Sequence, residues 1–201
     1  VDALPITVFV GPNNSGKSQI LREINQFCMD GNDNSNNKII DRIEFVAIQE
    51  NAIEDTINKI KLEPHFNEMV YSDHILVGRN GERQQVPLPE YKNALMNPNA
   101  RVSQFCNWYL RYSTLILNGN NRINLINTQS AGNLQDPPHS SFQMLFRDDE
   151  KRAQVRRIIY EAFEKYLVID PTNLGNLSLR LSTKKPENAL EERGIHKEAV
   201  D

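Results

Sequence analysis

Short apolar runs and helical stripes alternate along this chain with long polar stretches rich in asparagine. Ile6-Thr7-Val8-Phe9-Val10 is a continuous β-branched and aromatic run, the pattern of a strand buried in a parallel sheet. From Ser18 to about Met29, the residues Ile20, Leu21, Ile24, Phe27 and Cys28 recur at helical spacing. Residues 30–37 contain no apolar side chain and stop that helix as a solvated loop. Residues 42–48 read as a strand, and residues 52–62 as a short helix or a partly helical segment.

Further on, residues 74–89 have the pattern of a hairpin turning at Asn80-Gly81. A helix is expected from about Asn99 to Tyr112, with Val102, Phe105, Cys106, Tyr109 and Leu110 on one face. A second hairpin follows, pairing residues 113–117 with 122–126. Residues 129–141 are polar and irregular. The longest helical stripe runs from Asp148 to Tyr166 through Val155, Ile158, Ile159, Ala162 and Phe163. Residues 167–169 and 177–181 read as strands, and residues 187–201 as a charged, helix-prone end. The fold class is therefore α/β, with more antiparallel hairpin content than a plain doubly wound sheet.

Composition changes this picture little. The chain has 201 residues, 39% hydrophobic and 24% charged, as in a core-forming globular protein. A formal net charge of -3 gives no global attraction to nucleic acid or anionic membrane. The two cysteines, Cys28 and Cys106, make neither a metal-ligand spacing nor a disulfide framework, and are expected as free thiols in a reducing cytoplasm. No apolar run approaches the roughly 20 residues needed to span a bilayer. The chain opens on Val1 and enters an apolar run almost at once, as a cut end would.

The strongest chemical signal is Gly11-Pro12-Asn13-Asn14-Ser15-Gly16-Lys17-Ser18, which meets the pattern G-x-x-x-x-G-K-[ST] between an expected strand and an expected helix. A loop that wraps a phosphate must turn successive N–H groups inward, and glycine permits the backbone angles and close approach this needs. The amides from Asn13 to Ser18, through Asn14, Ser15, Gly16 and Lys17, would form the cradle. The following helix would add its positive end. Lys17 would set its ammonium against the β- and γ-phosphates, and Ser18 would give its hydroxyl to magnesium. ATP with Mg2+ is the expected ligand.

The residues inside this loop resemble those of ABC-type ATPase heads outside transporters, the SMC-like, RecF-like and OLD-like group of AAA-labelled ATPases. Residues 134–138, 145–149 and 166–172 resemble the same group more weakly. The resemblance implies a P-loop NTPase lobe of ABC-ATPase type, with antiparallel β-hairpins added to the P-loop strand and helix. It also implies head-to-tail homodimers that sandwich ATP, and a Q-loop glutamine reaching magnesium and the attacking water. Gln129 fits that glutamine best, and Gln135 second. DNA is a downstream partner that the resemblance suggests, in repair or phage defence, and no residue pattern here reads as a DNA contact. Lys151, Arg152, Arg156 and Arg157 form a basic cluster on one helix, which a solvated face behind Asp148, Asp149 and Glu150 explains as well as a DNA contact does.

The sequence departs from the family's pattern in having no Leu-Ser-Gly-Gly-like signature and no Walker B strand ending Asp-Glu. Leu167-Val168-Ile169-Asp170 is the nearest imitation. It runs into Pro171, so Asp170 reads as a strand-end turn residue rather than a magnesium ligand. His65, His74, His139 and His196 are scattered and read as surface or loop residues. Residues 1–201 are thus expected to be the P-loop part of an incomplete head, with 186–201 beginning a helical insert or linker. The alternative is a self-contained P-loop kinase or GTPase. No Asn-Lys-x-Asp guanine-reading motif occurs, and only Arg147–Arg157 could serve as a kinase lid.

Overall fold

A computed structural model describes residues 7–31, 38–79, 82–117, 123, 126–194 and 199–200. The chain divides into two compact units, the first of residues 1–62, 70–78 and 84–115, the second of residues 63–69, 79–83 and 116–201.

The first unit begins with helix α1, Lys17–Asp30, which Gly31 ends in a left-handed conformation at φ 62°. A 3-10 turn at Glu50–Ala52 leads into α2, Ile53–Ile60. Strands β1 (Lys61–Leu62), β2 (His74–Arg79) and β3 (Glu82–Pro87) form a three-stranded sheet in that order. Helix α3, Leu88–Met96, follows. Then α4 (Val102–Phe105), a π-helical turn (Cys106–Leu110) and α5 (Arg111–Ser113) succeed one another. Ile53, Ile57 and Ile60 line one face of α2 by their helical spacing. They pack in one core with Val77, Val86, Tyr91, Leu95 and Phe105.

The Tyr91 ring is buried there, and among the described residues its hydroxyl has no hydrogen-bond partner. Burial first, then the nearby Tyr109, push its ionisation well above the ordinary tyrosine range. Removing an unsatisfied hydroxyl without changing the ring removes a desolvation cost. Tyr91→Phe is therefore expected to raise stability by about 1 kcal/mol in denaturant unfolding. A loss of stability instead would mean that the hydroxyl is satisfied.

In two places the chain does not form the strands its apolar runs suggest. Residues 7–10 join no ladder, and Val8 and Val10 are 73% and 85% exposed, so the buried parallel strand is absent among the described residues. Continuous apolar runs mark burial only where a sheet is there to receive them. Residues 42–48 are likewise outside any ladder. Their backbone groups go elsewhere: the Asn99 side chain accepts from the Phe45 amide and donates to its carbonyl, both at 2.8 Å. The Ile48 amide donates to the Leu95 carbonyl at 3.0 Å.

The second unit is built on an antiparallel sheet of β4 (Gln129–Ser130), β5 (Tyr166–Asn173), β6 (Asn176–Ser182) and β7 (Ala199–Val200). β6 pairs with all three others. The β5–β6 hairpin turns at Leu174-Gly175, with φ of 40° and 80°, the positive pair that a two-residue hairpin needs. The register shifts between Asp170 and Asn173, which lets β5 carry Pro171 without a ladder N–H. Helix α6, Ser141–Arg147, starts from a capping box in which Ser140 and Gln143 satisfy each other's amides. Asp148 caps α7, Asp149–Phe163, and Asn188 caps the four-residue α8, Ala189–Glu192. Ala131, Phe142, Ile169 and Leu177 form the unit's core with Leu145, Phe146 and Leu179 packed against them.

Both sheets are antiparallel, in agreement with the hairpin-rich α/β reading. The expected helix to Tyr166 stops at Phe163, because Glu164 turns left-handed at φ 54°, and Tyr166 begins β5. The second hairpin is not formed as expected: Ser113 ends α5 and no strand forms over residues 114–117. Most of its returning arm, like Asn80-Gly81 of the first hairpin, lies outside the described residues. The end of the chain is not one helix either, since Ala199 and Val200 pair with Ser182 and Leu181. Among the described residues no helix is long and apolar enough to cross a membrane.

Candidate functional site

The glycine loop closes on itself ahead of α1. The Ser15 amide donates to the Pro12 carbonyl at 3.3 Å, with Asn14 left-handed at φ 64°, a conformation asparagine tolerates. Gly16 stands at the helix N-cap with φ 85°, which strains any residue bearing a Cβ. Lys17 folds back across the loop and donates to the Gly11 carbonyl at 2.7 Å, the Pro12 carbonyl at 2.6 Å and Ser15 Oγ at 3.1 Å. Its ammonium thus sits over the curled backbone. No side chain caps α1, and no acidic residue occupies its first turn. Among the described residues the amides of Gly16, Lys17 and Ser18 have no hydrogen-bond partner. An uncapped helix start beside an ammonium is suited to an anion.

Two turns along α1, Glu23 is buried, with only 2% exposure. Its carboxylate accepts from the amides of Lys38, Ile39 and Ile40 at 2.9, 3.1 and 2.8 Å, and from the Gln19 carboxamide at 2.7 Å. Burial alone would raise its pKa. These four hydrogen bonds outweigh burial and hold it down from the ordinary 4.5 to about 2. A depressed carboxyl pKa stabilises the fold fully above pH 4.5, and that contribution declines as pH falls towards 2. Glu23→Gln should therefore flatten the acid side of the unfolding free energy measured between pH 2 and 5. An unchanged slope would contradict the assignment.

The two glutamines expected for the Q-loop lie in the second unit, whereas the phosphate loop lies in the first. Gln129 sits in β4, registered opposite Leu177. Gln135 follows on an irregular segment, its amide donating to Asn133 Oδ1 at 3.0 Å.

Asp170 is not a strand-end residue. It lies inside β5 opposite Ser178, almost fully buried, and accepts from the Thr172 amide, the Thr172 hydroxyl and Arg180 Nε at 2.9, 2.6 and 2.7 Å. Burial opposes ionisation, yet these partners lower its pKa overall. A carboxylate so occupied is a structural ion pair.

The basic cluster on α7 also differs from the solvated face expected of it. Arg152 is fully buried. It donates to Glu192 and Asp149 and to the Leu145 and Phe146 carbonyls, and Arg156 pairs with Glu192 as well. Only Lys151 and Arg157 remain on the open side of the helix.

The histidines are less scattered than the sequence suggests. His65 and His139 stack with ring centroids 4.6 Å apart, and His139 Nδ1 lies 3.3 Å from His65 Nε2. Asp136 is 3.8 Å from the other ring nitrogen of His65. They line an open cleft of about 1030 Å³ with Glu68, Arg83 and Gln135. The Arg83 guanidinium first of all, with the His65 amide, holds Glu68 below the ordinary carboxylate range. Among the described residues no three histidine, cysteine or carboxylate groups are arranged to hold a metal ion. His74 pairs with its neighbour Asp73, and His196 lies outside the described residues. Seventy-four positions separate the two stacked histidines, so no local pattern could have joined them.

No protein-family model, no curated protein and no solved structure matches this chain.

Proposed function

We propose that the chain binds ATP with magnesium through residues 11–18, as the P-loop lobe of an ABC-type ATPase head. The observation that carries this reading is the uncapped start of α1, where Gly16 is left-handed and the Lys17 ammonium is drawn over the Gly11 and Pro12 carbonyls. Phosphate oxygens would take the free amides at the helix start, and Lys17 would share its donors with them. Ser18 is exposed on the helix's first turn, and its hydroxyl fits one position on an octahedral magnesium otherwise held by phosphates and water. By the family resemblance Gln129 is the first candidate for the Q-loop glutamine, and Gln135 the second. Dimerisation head to tail, and an action on DNA, are proposals that rest on the family resemblance.

Residues 11–18 themselves include no carboxylate or histidine to activate water, and binding with little turnover is the expected result. Calorimetric titration with ATP should show binding that weakens when magnesium is removed. Ser18→Ala should remove most of that magnesium dependence. Equal ATP affinity with and without magnesium would contradict Ser18's role. Steady hydrolysis that Lys17→Ala abolishes would show that a catalytic base is present.

A further inference from the structure

Building on the phosphate-loop reading above, we infer that Ile39, held against Gly16 by Glu23, is the apolar contact that receives the nucleoside. It makes the site prefer a nucleotide to a bare polyphosphate. Three consecutive amides, Lys38 to Ile40, converge on the buried Glu23 carboxylate, so this segment is pinned to the helix whose start forms the cradle. The pinning brings Ile39 back over the loop: a Cβ placed on Gly16 would lie only 2.7 Å from Ile39 Cδ1. Ile39 nonetheless remains 44% exposed.

An isoleucine fixed in place by a buried carboxylate, and still open to solvent, is poorly explained by packing of the core. With phosphates on the amides of residues 16–18, the ribose and base must extend past the loop. Ile39, at the Gly16 end of the loop, presents an exposed apolar surface to them. Apolar side chains with a few placed polar groups are the usual lining of such sites. A bare polyphosphate has no group to lay there. Glu23 touches no ligand in this account and is a positioning residue, acting through Ile39.

The test compares affinities for ATP and for inorganic tripolyphosphate, both with magnesium, by calorimetry. Ile39→Ala should weaken ATP about five- to tenfold, the scale expected for losing one partly buried aliphatic contact, and leave tripolyphosphate within about twofold. Ile39→Leu should restore most of the ATP affinity. Glu23→Gln should weaken ATP selectively as well, and the double variant should be no worse than the worse single variant, as expected of residues acting as one unit. Unchanged ATP binding in Ile39→Ala, or equal losses for both ligands, would overturn the inference while leaving the phosphate loop intact. Tripolyphosphate binding that ignores Lys17→Ala would overturn the loop reading, and this inference with it.

Discussion

Replacing Arg152 by alanine will cost about 3–5 kcal/mol of unfolding free energy, the loss typical of breaking a buried ion pair from one side. The side chain is fully buried on α7, and four acceptors depend on it. Its Nε and one terminal nitrogen meet Glu192 and Asp149 at 2.9 and 2.6 Å. The other terminal nitrogen serves the Leu145 and Phe146 carbonyls at the end of α6, at 2.9 and 3.1 Å. Truncation leaves those carbonyls without a donor, leaves Glu192 to Arg156 alone, and opens a void the size of an arginine. Because Arg152 ties α7 to the end of α6 and to α8, the second unit should lose its cooperative transition first. Arg152→Met tests the charge apart from the volume: methionine fills space but satisfies no acceptor, so most of the loss should remain. Urea unfolding followed by circular dichroism measures both variants. A change below about 1 kcal/mol in Arg152→Ala would mean that the network is solvated.

The second large effect concerns binding. Lys17→Ala should lower ATP affinity by about tenfold to a hundredfold, since charged hydrogen bonds contribute about 1.5–3 kcal/mol each and one lysine serves two phosphates. Stability should fall little, because the ammonium's own partners are two exposed loop carbonyls and a serine hydroxyl. That separation between a large binding loss and a small folding loss is what distinguishes a phosphate ligand from a loop strut. Lys17→Arg should recover little, as a planar guanidinium cannot take the compact position of the ammonium.

The elements legible in the sequence are those in which local chemistry and packing agree. The helix after the loop reads from its apolar spacing, and α1 indeed runs over Lys17–Asp30. The β5–β6 strands read from short apolar runs flanked by turn residues, and β2–β3 from an apolar run followed by the Asn80-Gly81 turn signal. Helix α3 was hidden because Leu88 and Pro89 looked like the end of a strand. Yet Pro89 in the first turn, with Leu88, Tyr91 and Leu95 at helical spacing, is itself a helix start. Residues 7–10 and 42–48 form no strand because apolar runs report what could be buried, whereas pairing decides whether a strand forms.

For the α7 arginines, charge was mistaken for exposure. A fully buried arginine needs acceptors from α6 and α8, and such partners come only from the tertiary fold. The same holds for His65 and His139, and for Glu23, whose backbone partners lie 15 to 17 residues away. The glycine loop was legible because its chemistry is local. Its residues turn, cap and donate within one short stretch, although the strand expected to support it is absent among the described residues.

Phosphate binding at residues 11–18 would show in backbone amide NMR during titration with ATP and magnesium. The largest shift changes are expected at the amides of Gly16, Lys17 and Ser18, with Ile39 following and the His65–His139 cleft unmoved. Changes centred on that cleft, with the loop amides silent, would contradict it.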